Sequence, residues 1–299
     1  MENNQKMALT SDSMTRGVLL TVDKYREKGE IHLPPNYSVA NAMKSAMLVL
    51  DTVTDKNKRP ALAVCTQKSI WQALFDTAVQ GLDPGKKQCY YIVYNDKLTM
   101  QRSYFGDMHL AKLKNPDIYD IYADVVYEAD EFEYQKKRGR TEIVKHNQKL
   151  GNIDKNKIVA AYCTVEYKDG RENTTIMTID EIKRAWSMSK AYPLDNEGNL
   201  KAGSTHAKFP GEMAMKTVIR KACKPLINSS DDSTLVMNSI YRTSDEAVDS
   251  RLEAEIEENS SINDVDTNDP PAPIIDVDPN TGEVVNEIPA ELPIGTDPY

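Results

Sequence analysis

Residues 80–104 read QGLDPGKKQCYYIVYNDKLTMQRSY, and this run constrains the fold more than any other because it spells a helix end, a turn and a β-hairpin in succession. Tyr90, Ile92 and Tyr94 alternate with Tyr91 and Val93. After an Asn95-Asp96 turn, Leu98, Met100 and Arg102 alternate with Thr99, Gln101 and Ser103. One hairpin face can be buried while the other offers Lys97, Arg102 and tyrosine rings. Gly81 is placed to cap a helix beginning near Thr66, and Asp83-Pro84-Gly85 forces a turn that carries Lys86 and Lys87. Residues 157–167 and 172–178 give a second hairpin signal around Asp169-Gly170. The segment IYDIYADVVYEADEFEYQ reads as strands broken near Ala129-Asp130. The expected fold class is α+β, with a central antiparallel sheet and hairpins packed against helices.

Helical periodicity covers residues 11–28 and 38–54, the latter with Val39, Met43, Met47, Leu50 and Val53 on one face, and residues 66–80. A short helix over 107–114 carries His109 and Lys112. Thr178-Ile-Asp-Glu181 is a capping-box pattern, which starts a helix running to about 188 with Lys183 and Arg184 outward. The Pro, Gly and Asn content of SKAYPLDNEGNLKAGSTH marks a loop. Pro210 then opens a helix to about Leu226. At 100° per residue Met215, Val218, Ile219, Ala222 and Leu226 share a core-facing stripe, and Lys216, Arg220, Lys221 and Lys224 form a basic ridge with no acid after Glu212 to balance it.

Charge divides the chain. From residue 231 to 299 there are 18 Asp and Glu against Arg242 and Arg251, a net of −16, so residues 1–230 carry +7 within a total of −9. A basic body of this kind permits a polyanionic partner, since each neutralised phosphate releases counterions. Three segments are expected: an N-terminal helical extension (1–34), a core (35–228) and an acidic, Pro-rich tail (229–299), disordered after about 260 though with room for a short helix near its start. Such a tail serves solubility, docks a host protein, or competes with nucleic acid for a basic groove.

Cys65, Cys89, Cys163 and Cys223 are widely spaced, without a C-x-x-C pair or a neighbouring His at ligand spacing, and read as reduced, buried thiols. No apolar run is long enough to span a membrane and no signal-peptide pattern opens the chain, so a soluble, intracellular protein is expected. GLDPGKK falls short of a phosphate loop: three residues separate its glycines where four are needed, and Lys87 stands where Ser or Thr would bind magnesium. His32, His109, His146 and His206 are scattered. Acidic pairs such as Asp130-Glu131 are expected to be solvated rather than to hold a metal. No catalytic residues, metal or cofactor are expected.

The basic turn, aromatic hairpin and basic ridge supply what single-strand binding requires, namely cations that track a backbone and rings on which bases stack. A core hairpin with solvated charges would read the same way. Taken in order, the run through Lys112, the run around Trp186-Ser-Met-Ser-Lys-Ala191, and GEMAMKTVIRKACKPL resemble the RecT family of phage single-strand annealing proteins over roughly residues 35–228, with a more distant similarity to Red beta and the Rad52 core. Phe105 departs from the pattern, where relatives often carry a basic residue, and so does Phe209-Pro210.

The resemblance implies an ATP-independent recombinase, without covalent catalysis, that binds single-stranded DNA as a ring or helical filament and pairs it with a complementary strand. Lys86, Lys87, Lys97, Arg102, Lys216, Arg220, Lys221 and Lys224 would contact phosphates. Tyr104, with Tyr91, would stack, and Lys112, Lys190 and Lys208 would assist. Implied partners are single-stranded DNA, the annealed duplex intermediate, other copies of the chain, host single-strand binding protein and a phage exonuclease, in the bacterial cytoplasm. A metal-dependent nuclease would need an acidic cluster that the spacing does not show. A nucleic-acid-binding or adaptor protein without annealing activity would use the same surfaces.

Overall fold

The computed structural model describes residues 2–188, 193–195, 197–229 and 232–244, and, in the tail, 276–277 and 284–286. Helix α1 (Glu2–Glu27) buries Val18 and Val22, and its Tyr25 ring lies 6.1 Å from Phe75. Helix α2 (Val39–Leu50) is capped by the Ser38 hydroxyl and buries Val39, Ala42, Met43, Ala46 and Leu50. A single turn, α3 (Ala61–Val64), precedes α4 (Gln67–Val79), whose cap is Thr66. Gly81 follows at φ +67, the left-handed conformation that a glycine adopts without steric cost.

Strands β1 (Cys89–Tyr94) and β2 (Lys97–Arg102) form the expected hairpin, from Cys89↔Arg102 to Tyr94↔Lys97. Asn95 turns at φ 53, and the Asp96 carbonyl accepts from the Thr66 amide at 2.8 Å, tying the turn to the start of α4. This hairpin stands as its own two-stranded sheet. Helix α5 (Tyr104–Lys114), capped by Ser103, leads into β3 (Ile118–Tyr127). Strands β4 (Glu131–Lys137) and β5 (Arg140–Asn147) make a further hairpin, in which β4 follows the expected break near Ala129-Asp130 and β5 has no counterpart among the expected elements. Strands β6 (Ile158–Tyr167) and β7 (Glu172–Thr178) join β3 in an antiparallel sheet ordered β3-β6-β7.

The capping box at Thr178 is present in both directions and opens α6 (Ile179–Ser187). The short α7 (Thr205–Lys208) precedes α8 (Pro210–Asn228), which lies across β3 and β6 and packs beside α5. Its most buried stripe is Ala214, Val218, Ile219, Ala222, Cys223 and Ile227, while Met215 and Leu226 are half-buried, so the core side is turned slightly from the projected one. Helix α9 (Thr234–Arg242) then docks on the body against α4, past the residue at which composition changes. The four cysteines are buried and unpaired, with Cys89 and Cys163 each raised to about 12 by burial. Most of the expected disordered tail lies outside the described residues; within it, β8 (Asp276–Val277) pairs with β9 (Val284–Asn286).

Candidate nucleic-acid interface

The sequence places the basic turn and the N-terminus of α5 more than 100 residues from the ridge of α8, and the fold brings them together. The Ser103 hydroxyl caps α5 and also donates to the Lys87 carbonyl at 2.6 Å. Gly106, in the first turn of α5, packs so closely on the basic turn that a Cβ there would lie 2.2 Å from the Gln88 carbonyl oxygen. Lys86 and Lys87, both exposed, are thereby held beside Tyr104 and Phe105. Those two rings lie 4.1 Å apart at 32°, and Phe105 is 46% exposed. Partial burial, and then the nearby Glu212 carboxylate, push the Tyr104 hydroxyl upward, which sets this ring beside the first turn of α8.

From there the surface continues along α8 through Lys216, Arg220 and Lys224, four residues apart on one stripe. Arg220 donates to the Arg102 carbonyl at 2.9 Å and its Nε lies 3.6 Å from Asp107, while burial raises the Tyr90 hydroxyl and the Arg220 charge works against that rise. Burial first, then the Arg220 charge, hold the Lys216 ammonium below its ordinary range; Asp107 pulls the other way. An anion placed between Lys216 and Arg220 relieves that repulsion. The ridge is held in place by α6, whose Trp186 donates to the Thr217 hydroxyl at 2.8 Å and meets the His206 ring edge-on at 4.8 Å. A cleft of about 230 Å³, lined among others by Arg220, Lys224 and Asn228, lies at the far end of the stripe.

Several expected contacts fall elsewhere. Arg102 is not on the open face of the hairpin: inward-facing Leu98, Met100 and Arg102 share one side of β2, and Arg102 is only 7% exposed. It bonds Asp107 at 3.0 Å, Gln80 at 3.2 Å, Thr243 at 2.8 Å and the Ile240 carbonyl at 2.6 Å, which makes it a clasp between β2, α4, α5 and α9. Tyr91 is likewise buried, its hydroxyl 2.8 Å from that of Thr77, and cannot stack on a base. Lys97 sits at the opposite end of β2 from Arg102, about 17 Å away at 3.4 Å per residue. The ridge is not wholly unbalanced, since α5 supplies Asp107 to Arg220 and α6 supplies Glu181 to Lys221 at 3.7 Å. Lys221 therefore faces α6, and Lys112 is paired with Asp120 at 2.8 Å. Lys208 is exposed at the end of α7, and Lys190 lies outside the described residues.

Asp130, expected to be solvated, has a fully covered side chain. Burial alone would raise its carboxyl, but the Tyr127 amide and the Gln148, Asn152 and His146 side chains outweigh that and hold it below the usual range. Its donors are protein groups, and it serves to anchor the base of the β4–β5 hairpin. Among the described residues no group of three or more His, Cys, Asp or Glu could hold a metal ion, and no helix is long and apolar enough to cross a membrane.

A stripe of cations edged by Tyr90, Tyr104 and Phe105 on an α+β body is suited to a flexible polyanion carrying stackable bases. Comparison with known proteins points the same way. The RecT family profile matches residues 40–262, and the chain belongs to that family, among the single-strand annealing proteins of DNA recombination. It is 28% identical over 194 residues to Protein RecT of Escherichia coli strain K12, an alignment covering 62% of this chain and 67% of that protein.

Proposed function

We propose that the protein anneals complementary single strands without ATP, as an oligomer on DNA, using the surface formed by Lys86, Lys87, Tyr90, Tyr104, Phe105, Lys216, Arg220 and Lys224. The observation that carries this reading is the convergence of the basic turn and the start of α5 with the sequence-distant ridge of α8 on one basic, aromatic-edged face. Phosphate contacts are indifferent to base identity, so any strand can be held with its bases left for pairing. Neutralised phosphates also repel a second strand less, and a strand held in extended form presents its bases in order; both effects accelerate annealing with no bond made or broken. Phe105 and Tyr104 stack on a base or interrupt base stacking at the edge of the groove.

Arg220 has a double role in this scheme. Its bonds to Asp107 and Arg102 fix its position, and its charge adds to the field between Lys216 and Lys224. Lys97, Lys112 and Lys221 contribute to the general basic field of the body. The core over residues 35–228, the helical extension over 1–34 as a subunit contact, and the acidic tail as a docking segment for single-strand binding protein or an exonuclease complete the proposed organisation.

The test is equilibrium binding of a fluorescent single-stranded oligonucleotide as a function of salt, for the parent chain and for K216Q/K224Q. The slope of log K against log salt should fall by about 0.7 for each phosphate that is no longer neutralised, or about 1.4 in all, equally for oligonucleotides of different sequence. An unchanged slope would remove α8 from the interface.

A further inference from the structure

The β4–β5 hairpin carries a concentration of charge that the surface described above does not use. Lys136, Lys137, Arg138 and Arg140 crowd its tip, all exposed, in the run QKKRGR. Lys137 pairs with Glu142 at 3.2 Å, one carboxylate at the edge of four cations. The turn itself is built around a cation. Arg138 and Gly139 both have positive φ, at 50 and 80, as a two-residue hairpin turn demands. Asn or Gly is the residue such a position favours, and an arginine there keeps its charge at the apex against the local backbone preference.

The base of the hairpin is fixed. Phe132 and Ile143 pack on Val126, Ala160 and Tyr162, the Phe132 and Tyr162 rings stacking at 5.7 Å. His146 bridges the Tyr162 hydroxyl at 3.0 Å and Asp130 at 3.3 Å. Beyond this anchor, Tyr134 (53% exposed) and Lys136 continue outward on the same strand face as Phe132, since alternate residues share a face. An anchored finger that ends in a stackable ring and a group of cations has the composition of a single-strand contact.

We propose that this finger is a second contact for the single-stranded nucleic-acid backbone: Lys136, Arg138 and Arg140 take phosphates and Tyr134 takes a base. The proposal rests on the single-strand-binding reading and extends it to a site that α8 does not reach. By providing a separate hold, the finger lets one strand stay clamped while the other exchanges on the main surface.

Arg138→Asn separates binding from folding, because Asn suits the turn and removes the guanidinium from an exposed position. In the full-length chain R138N should melt at or above the parent temperature, yet bind a fluorescent single-stranded oligonucleotide about fivefold more weakly at 0.1 M salt, the factor expected when one phosphate is left without its cation. K136Q/R138N/R140Q should lower the salt slope by about 2. Y134S should weaken binding with the slope unchanged. Parent-like affinity and slope in all of these, with K216Q/K224Q still impaired, would overturn the finger and leave α8 standing. Loss of self-association with single-strand binding intact would reassign the tip to an acidic protein surface and equally overturn the proposal. A parent chain that binds no single strand would remove both readings together.

Discussion

Replacing Arg102 with methionine keeps the side chain's apolar length and removes the guanidinium, so it tests whether this residue holds the protein together or touches a ligand. Its side chain is 8% exposed and that of Asp107 is 12% exposed. Loss of the guanidinium leaves Asp107 with Arg220, whose Nε is 3.6 Å away, and strips a donor from Gln80, Thr243 and the Ile240 carbonyl. Each stranded acceptor costs about 1–3 kcal/mol if nothing relaxes. Because Thr243 also accepts from the Gln80 amide, and the cleft admits water to the remaining acceptors, relaxation is substantial. The figure for breaking a buried pair, about 3–5 kcal/mol, is the appropriate one. With an m-value of about 3 kcal/mol/M the urea midpoint, followed by far-UV circular dichroism, should fall by about 1–1.7 M. Single-strand affinity of the protein that remains folded at low temperature should keep its salt slope. A midpoint within about 0.3 M of the parent, together with a lower slope, would refute the clasp and return Arg102 to the ligand.

Gly106→Ala should destabilise by about 1–3 kcal/mol despite the roughly 1 kcal/mol that alanine ordinarily gains in a helix, because the new Cβ meets the Gln88 carbonyl at 2.2 Å; a higher urea midpoint would show that α5 does not sit on the turn this closely. Thr178→Ala removes one half of the capping box and should cost about 1 kcal/mol, with Ser at that position restoring it. Asp130 has a depressed folded pKa, so its stabilisation is complete above the unfolded value of about 3.9 and is lost as pH falls through the folded one. The stability difference between the parent and D130N should therefore be largest near neutral pH and shrink below about pH 4; a difference that grows on acidification would contradict the sign.

What could be read from the residues was what neighbours along the chain decide. Ser38, Thr66 and Thr178 each cap the helix that follows them, Asn95-Asp96 turns the first hairpin, and Gly81 takes the left-handed conformation that ends α4. Which face of an element is buried depended on contacts far away in sequence. Arg102 alternates with Leu98 and Met100, but its partners at Ile240 and Thr243 lie more than 130 residues further on, so its inward orientation had no local signal beyond that alternation. The acid on Arg220's own helix, Glu212, lies eight residues back, and its partner Asp107 came from another helix. Of the β4–β5 hairpin, the residues showed β4 after the break near Ala129-Asp130 but not β5, because charged residues are scattered along both strands and only Phe132, Tyr134 and Ile143 mark a face; the Arg138-Gly139 turn and the KKRGR run were the signals available.

The central claim is that a basic surface on the body, rather than any covalent chemistry, speeds strand pairing. Its most direct test is the rate at which two complementary dye-labelled oligonucleotides anneal in the absence of ATP and magnesium, with the full-length protein and with K216Q/K224Q, the latter first shown to melt at the parent temperature. Acceleration by the parent, abolished or strongly reduced in the variant and suppressed by rising salt, is the expected result. Single-strand binding without acceleration by the parent, or equal acceleration by both, would contradict it.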